Sequence, residues 1–402
     1  MRASCLALIV LVVAPFPGAA QAVRVGGSVA ALATRVDPIE AGDARTGAYL
    51  TQPVIMASGG WLDGMLSAHV MLNLEALTIS EGELTPGAWG EGFMDKRHPH
   101  TWLHEAVVTG RAGYGALNAS VTLGRGFAPF GTDDPMSRPF LRFPSNHHLA
   151  QIPERLVAIG ALAAGPVTAE LGAFNGDEPT GTSSLGRVDR FGDSWGARLT
   201  VRPGGGVELQ GSRAAVESPE VAVGGGANQR KWSASARWQG DLAGTPVYVL
   251  GEWARTTDYD NAQALYAFRA WLVEAEVQPG RWRAAFRYED ATRPEEERIS
   301  RYRSPRPHTD YHLLGITRWQ TAAARVAHEI DWRGLRTAPF LEAGVSRIGE
   351  TAGGVLDPAT FYGDDTLVTL SAGLRLAVGH RHERMGRYGA ATASATTLHE
   401  GH

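Results

Sequence analysis

Along much of this chain apolar and polar residues alternate one by one. In Trp61–Ala76 the even positions read Leu62, Gly64, Leu66, Ala68, Val70, Leu72, Leu74 and Ala76, while the odd positions include Asp63, Ser67, His69, Asn73 and Glu75. A period of two over this length marks a strand with one apolar and one wet face. The pattern recurs. Trp232, Ala234, Ala236 and Trp238 oppose Ser233, Ser235, Arg237 and Gln239; Trp282, Ala284, Phe286 and Tyr288 oppose Arg283, Arg287 and Glu289; Val368, Leu370, Ala372, Leu374 and Leu376 oppose Thr369, Ser371 and Arg375.

The connections alternate too. Short turns at Gly113–Gly115, Ala164–Pro166, Pro203–Gly206, Gly240–Gly244 and Gln278–Gly280 lie between long polar loops at Gly126–Glu154, Gly176–Gly192, Glu217–Arg230 and Ala291–His308. Outer-membrane barrels are strung this way, with tight periplasmic turns and longer outer loops. Trp102, Tyr114, Trp195, Trp253, Trp271, Tyr311 and Trp319 sit near strand ends, where amphipathic rings meet a bilayer interface. A secreted β-sandwich, repeat or propeller would alternate within its strands as well. It has no reason to alternate short and long connections, and it more often carries disulfides or an internal repeat.

The expected fold is therefore all-β: a closed antiparallel transmembrane β-barrel of about sixteen strands, within a range of roughly 12–18, with an inward-folding loop. Strands are expected near 25–36, 47–58, 61–77, 102–112, 116–125, 155–164, 167–175, 193–202, 206–216, 231–239, 246–256, 264–277, 281–290, 309–319, 337–348 and 366–379. Arg325–Trp332 alternates weakly; it is either a periplasmic excursion or the sign of a miscount.

Arg2, the apolar run Leu6–Val13 and Ala20-Gln21-Ala22 have the form of a secretory signal peptide over 1–22, too short to span a bilayer as a helix. Three segments follow: the signal peptide, an outer-membrane barrel over 23–379, and a histidine-containing, disordered periplasmic tail over 380–402. The single cysteine, Cys5, falls in the first, so the mature chain is expected to have neither disulfide nor thiolate-bound metal. Net charge is −4 with both signs spread along the chain, which argues against a nucleic-acid partner. The 49 glycines and 11 tryptophans suit turns and interfacial rings.

Candidate chemistry is densest in Glu91–Glu105, which places His98, His100 and His104 within seven residues. His98 and His100 share a face of an extended segment, and Pro99 favours that extension. Neutral imidazoles suit Cu or Zn, and His147 and His148 from the next loop are candidates to close a site. The alternative is a structural network of these histidines with Asp95, Lys96, Arg97 and Glu105. His104 has the parity of the lipid-facing Ala106, Val108 and Gly110, so either a bulge near Trp102 turns it or it lies above the membrane rim. The loop over Gly126–Glu154 carries Phe127, Phe130, Phe140, Leu141 and Phe143, an apolar load that points it into the lumen. Asp133, Asp134, Arg138, Phe140 and Arg142 are then the candidate constriction residues.

Several segments resemble a family of poorly characterised Gram-negative outer-membrane β-barrels with an Asp-Arg-x-His-Pro-His motif. They are Asp95-Lys96-Arg97-His98-Pro99-His100, the preceding Leu72–Thr78, the Asn146-His147-His148 pair, and Tyr362-Gly363 with Leu374-Arg375-Leu376. Lys96 stands where that motif has arginine, and Thr101 where it has an acidic residue. The resemblance implies a barrel met in copper and heavy-metal resistance settings. More loosely, Ala128-Pro129-Phe130-Gly131 and Phe174-Asn175-Gly176 are similar to segments of phosphate-selective porins of the O/P type.

No Gly-x-Ser-x-Gly, phosphate loop or His-Glu-x-x-His is present, so no catalytic residue is expected. The expected function is passive passage of small polar solutes or ions through a porin-like barrel in outer-membrane lipid, with no required cofactor. The alternatives are a barrel that handles a transition metal, Cu or Zn, through its loop histidines, and a structural or adhesive barrel with a plugged lumen.

Overall fold

A computed structural model describes residues 21–40, 42–79, 101–145, 149–296, 313–352, 357–379 and 384–392. The strands are β1 Gln21–Glu40, β2 Asp43–Trp61, β3 Leu66–Asn73, β4 Leu103–Tyr114, β5 Leu117–Gly126, β6 Arg155–Ala164, β7 Val167–Phe174 and β8 Ser194–Gly204. They continue with β9 Val207–Val216, β10 Asn228–Leu242, β11 Thr245–Asp260, β12 Gln263–Val277, β13 Trp282–Glu296, β14 Leu313–His328 (extended by Ile330–Trp332), β15 Leu335–Ala352 and β16 Thr366–Gly379. Each pairs antiparallel with its sequence neighbour, and β1 pairs with β16 from Gly26↔Gly379 to Asp37↔Val368, which closes a barrel of sixteen strands.

The alternation that marks the strands in sequence divides the wall. Leu123, Leu171, Leu199, Leu209, Phe286, Leu341 and Leu370 are exposed on the outside. Glu170, Arg198, Glu208, Arg287 and Glu289 are buried within. Trp195, Trp232, Trp253 and Trp271 form a belt near the outer rim; Tyr114, Trp282 and Trp332 lie at the turn-bearing rim. Arg213, whose guanidinium lies 4.5 Å from the Trp232 ring, Arg255 and Arg269 follow one another along a single paired row at the outer belt. Cations on the lipid face are tolerated at that depth and costly at the midplane.

Three expectations change. The strand expected over 61–77 is a turn at 62–65, β3, and a short helix α1, Glu75–Thr78. Glu75 is fully buried and accepts from the Gln52 amide (2.8 Å) and Thr51 Oγ1 (3.0 Å), so α1 caps the outer end of the wall. Arg325–Trp332 is the periplasmic end of β14, which the expected strand at 309–319 stops short of, and the count stays even. Trp319 faces the lumen, not the interface: it is fully buried with Ile348, Leu367 and Tyr362, the last from helix α2, Pro358–Tyr362. Residues 1–20, the greater part of the expected signal peptide, lie outside the described residues.

Candidate functional site

Loop 3, residues 127–154 between β5 and β6, turns inward and crosses the lumen. Its apolar side chains explain the turn. Phe130 packs with Ala128, Val157 and Phe174; Phe127 and Phe143 pack with Val54, Met56 and Met71; Leu141 packs with Ala30, Leu32 and Phe340. These contacts reach walls on opposite sides, and burying such rings drives the loop off the rim.

Polar ties then fix its height. Gly131 N donates to Ser212 Oγ (2.9 Å) on β9, and Arg198 donates to the Gly131 carbonyl (3.3 Å). Arg138 pairs with Glu252 on β11 (2.8 Å). Across the lumen, Leu141 N donates to Glu342 (3.3 Å) on β15, Arg142 to Thr369 Oγ1 (2.8 Å) on β16, and Ser145 N to Glu289 (2.6 Å) on β13. Arg287 donates to the Arg142 carbonyl (2.8 Å) and lies 4.5 Å from the Phe140 ring.

Two clefts flank the loop. One is lined by Asp133, Arg138, Glu208, Arg237, Tyr248 and Glu276 among others. The second is lined by Phe140, Arg142, Arg287, Glu289, Glu342 and Thr369 among others. Burial would lower the Arg138 guanidinium pKa, but Glu252 and Glu274 raise it further. For Arg142 burial prevails over Glu289 and Glu342, and its pKa falls. Both clefts thus pair guanidinium with carboxylate.

Of the five constriction candidates, Asp133, Arg138, Phe140 and Arg142 line these clefts. Asp134 does other work: its carboxylate accepts from the Met136 amide (2.7 Å) and caps the turn Pro135–Ser137. Asp95, Lys96, Arg97, His98, His100, His147 and His148 lie outside the described residues. His104 is the extra residue of a bulge between Met71↔Glu105 and Leu72↔Leu103. The bulge turns its ring inward, where Nδ1 meets Glu154 Oε1 at 2.6 Å. Glu154 also accepts from the Thr101 amide (3.1 Å) and sits 3.6 Å from Arg125, so it anchors the residues that lead into β4. Among the described residues no group of three His, Cys, Asp or Glu could hold a metal ion.

The segment 384–392 differs most from expectation. Within the expected disordered tail, these residues are inside the barrel, against β4–β9 and loop 3. His380, His382, His399 and His402 lie outside the described residues. Arg384 Nε and Nη2 fork onto Asp133 (2.7 and 2.9 Å), while Nη1 and Nη2 fork onto Glu208 (2.8 and 2.7 Å). Arg387 donates to Asp133 (3.1 Å), Thr200 (3.3 Å) and Gln210. Tyr388 donates to Glu105 Oε1 (2.5 Å) and accepts from the Phe127 amide (2.9 Å). Glu105, from the histidine-rich stretch, therefore binds the other end of the chain. Burial and the Glu105 charge hold the Tyr388 hydroxyl well above its usual pKa. Arg384 and Arg387 just ahead of Tyr388, with Gly386 and Gly389 beside them, are the available signal in a Gly/Ala-rich tail.

No family model matches the chain, and no curated protein does. Solved structures share the fold. An anion-selective porin from Comamonas acidovorans has a TM-score of 0.53 at 14% identity, over 89% of this chain and 99% of its own. OmpT, an outer membrane protein of Vibrio cholerae, has a TM-score of 0.50 both as a loop L8 deletion mutant (9% identity) and as an in-vitro folded trimer form (8%). Each comparison covers 89% of this chain and 99% of the other. The fold is that of an outer-membrane porin.

Proposed function

We propose that the protein is a channel of the outer membrane through which small polar solutes or ions pass passively, with loop 3 as the element that sorts them. One observation carries this reading: loop 3 crosses the lumen, is tied to opposite walls, and leaves a charged cleft on either side. A solute would give up water to fixed guanidinium and carboxylate groups as it passed. Because each cleft carries both signs, sorting would act on size and dipole more than on net charge. The outer wall takes lipid as its partner, and the reading assigns no catalytic role to any residue.

Planar bilayers test it. The purified protein is expected to give small, discrete conductance steps. Arg142→Glu is expected to move the reversal potential in a salt gradient toward cation preference. Silence from both the intact protein and a folded loop 3 deletion would sink the reading.

A further inference from the structure

We propose that Asp133, Glu208 and Gln210 form a guanidinium-binding site in the lumen, that Arg384 and Arg387 are its resident ligands, and that the exchange of these ligands makes segment 384–392 a removable plug. The proposal rests on the channel reading above and goes further, to what occupies the channel.

The chemistry of the site is specific. Two carboxylates each receive two bonds from Arg384, in the parallel geometry that a planar guanidinium satisfies and an ammonium does not. Arg387 adds a third contact to Asp133 and reaches Gln210. Burial, with Arg198 and Arg384 nearby, pushes the Arg387 guanidinium down to about 10, so it still carries its charge at neutral pH.

The shape of the segment suits entry from the turn-bearing rim, where β16 ends at Gly379. Arg384 sits beside Glu208 near the start of β9; Tyr388 reaches Glu105 near the outer end of β4; Thr392 returns to Arg111 (2.9 Å) lower on β4. The chain thus rises and turns back. Gly386 (φ 82°) and Gly389 (φ 54°) make the turn. A Cβ on Gly389 would lie 2.1 Å from Ser120 Oγ, so the segment fits only closely against the wall.

The plug is removable because the wall does not depend on it. The three carboxylates near the segment's arginines each have a second arginine of their own: Asp133 has Arg237 (2.9 Å), Glu208 has Arg202 (2.8 Å), and Glu170, 3.6 Å from Arg387, has Arg198 (2.6 Å). Glu105 keeps His69 at 3.3 Å. The barrel also closes at Gly379, before the segment begins. Withdrawal therefore leaves Asp133, Glu208 and Glu170 each paired with an arginine, which removes the usual obstacle to breaking a buried ion pair.

The test combines two readouts on the full chain. Met385 is buried, and Met385→Cys reports docking through its rate of reaction with a membrane-impermeant maleimide, read by peptide mass. Adding Arg384→Ala and Arg387→Ala is expected to raise that rate at least tenfold and single-channel conductance several-fold. The free peptide Arg-Met-Gly-Arg-Tyr-Gly-Ala-Ala-Thr, on the periplasmic side, is expected to restore low conductance; the same peptide with lysines for arginines is not. Equal labelling rates would overturn docking through the arginines. Faster labelling with unchanged conductance would overturn the plug and leave the channel reading standing. Faster labelling with silent bilayers throughout would overturn the channel reading itself, and equal block by the lysine peptide would overturn guanidinium specificity.

Discussion

His104 shows how one inserted residue redirects a side chain. Its parity belongs to the lipid face, and the bulge opposite Met71 and Leu72 turns it to Glu154. Glu154 thereby accepts from the Thr101 amide, meets His104 and pairs with the Arg125 charge, all of them buried. Glu154→Ala leaves a buried guanidinium without this carboxylate and is expected to cost about 3–5 kcal/mol, measured by urea unfolding in detergent micelles. Glu154→Gln, which keeps an acceptor, is expected to cost less; a neutral Glu154→Ala would show that the cluster adds nothing. The conflict over His104 was legible from parity alone, but its partner was not. Glu154 lies fifty residues away beyond an inward loop, and nothing in period-two alternation records which loop end meets which strand.

At the scale of elements, the lumen is filled by two segments that present themselves differently in sequence. Loop 3 carries Phe127, Phe130, Phe140, Leu141 and Phe143 among prolines and charges, and such a load has no use in water, so its inward path is legible directly. The terminal segment is short, rich in glycine and alanine, and held mainly by ion pairs spanning up to 254 residues; composition alone assigns it to disorder. The two meet at Asp133. Burial would raise its pKa, but Arg384, Arg387 and Arg237 hold it well below the ordinary 3.8. Arg384 and Arg387 leave with the segment while Arg237 stays, so the docked carboxylate is the more depressed; it strengthens docking while ionised and loses that contribution as pH falls below 3.8 toward the docked value. Conductance is therefore expected to rise as pH drops below about 4, with a smaller step in Asp133→Asn. A pH-independent trace would show that the Asp133 charge does not hold the segment.

At the scale of the whole molecule, alternation and the rhythm of short and long connections were enough for the architecture, because each wall residue must choose lipid or lumen at every step. The strand count was harder. β14 runs to His328 through Thr321–Ala324, where alanines blur the two faces, so its lower half looked like a separate excursion. Closure has a consequence for how the chain reaches its membrane. The first strand finds its second partner only in the last, Gly26 beside Gly379, so the barrel is a ring whose final pairing waits until Thr366–Gly379 has been made. Until then β1 and β15 are open edges, an invitation to aggregate, and the polypeptide must travel unfolded. A chain ending before Thr366 is expected to yield no heat-modifiable band on cold gels, while one ending after Gly379 should fold. The pairing that closes the ring is thus also the one of highest contact order, joining strands more than three hundred residues apart.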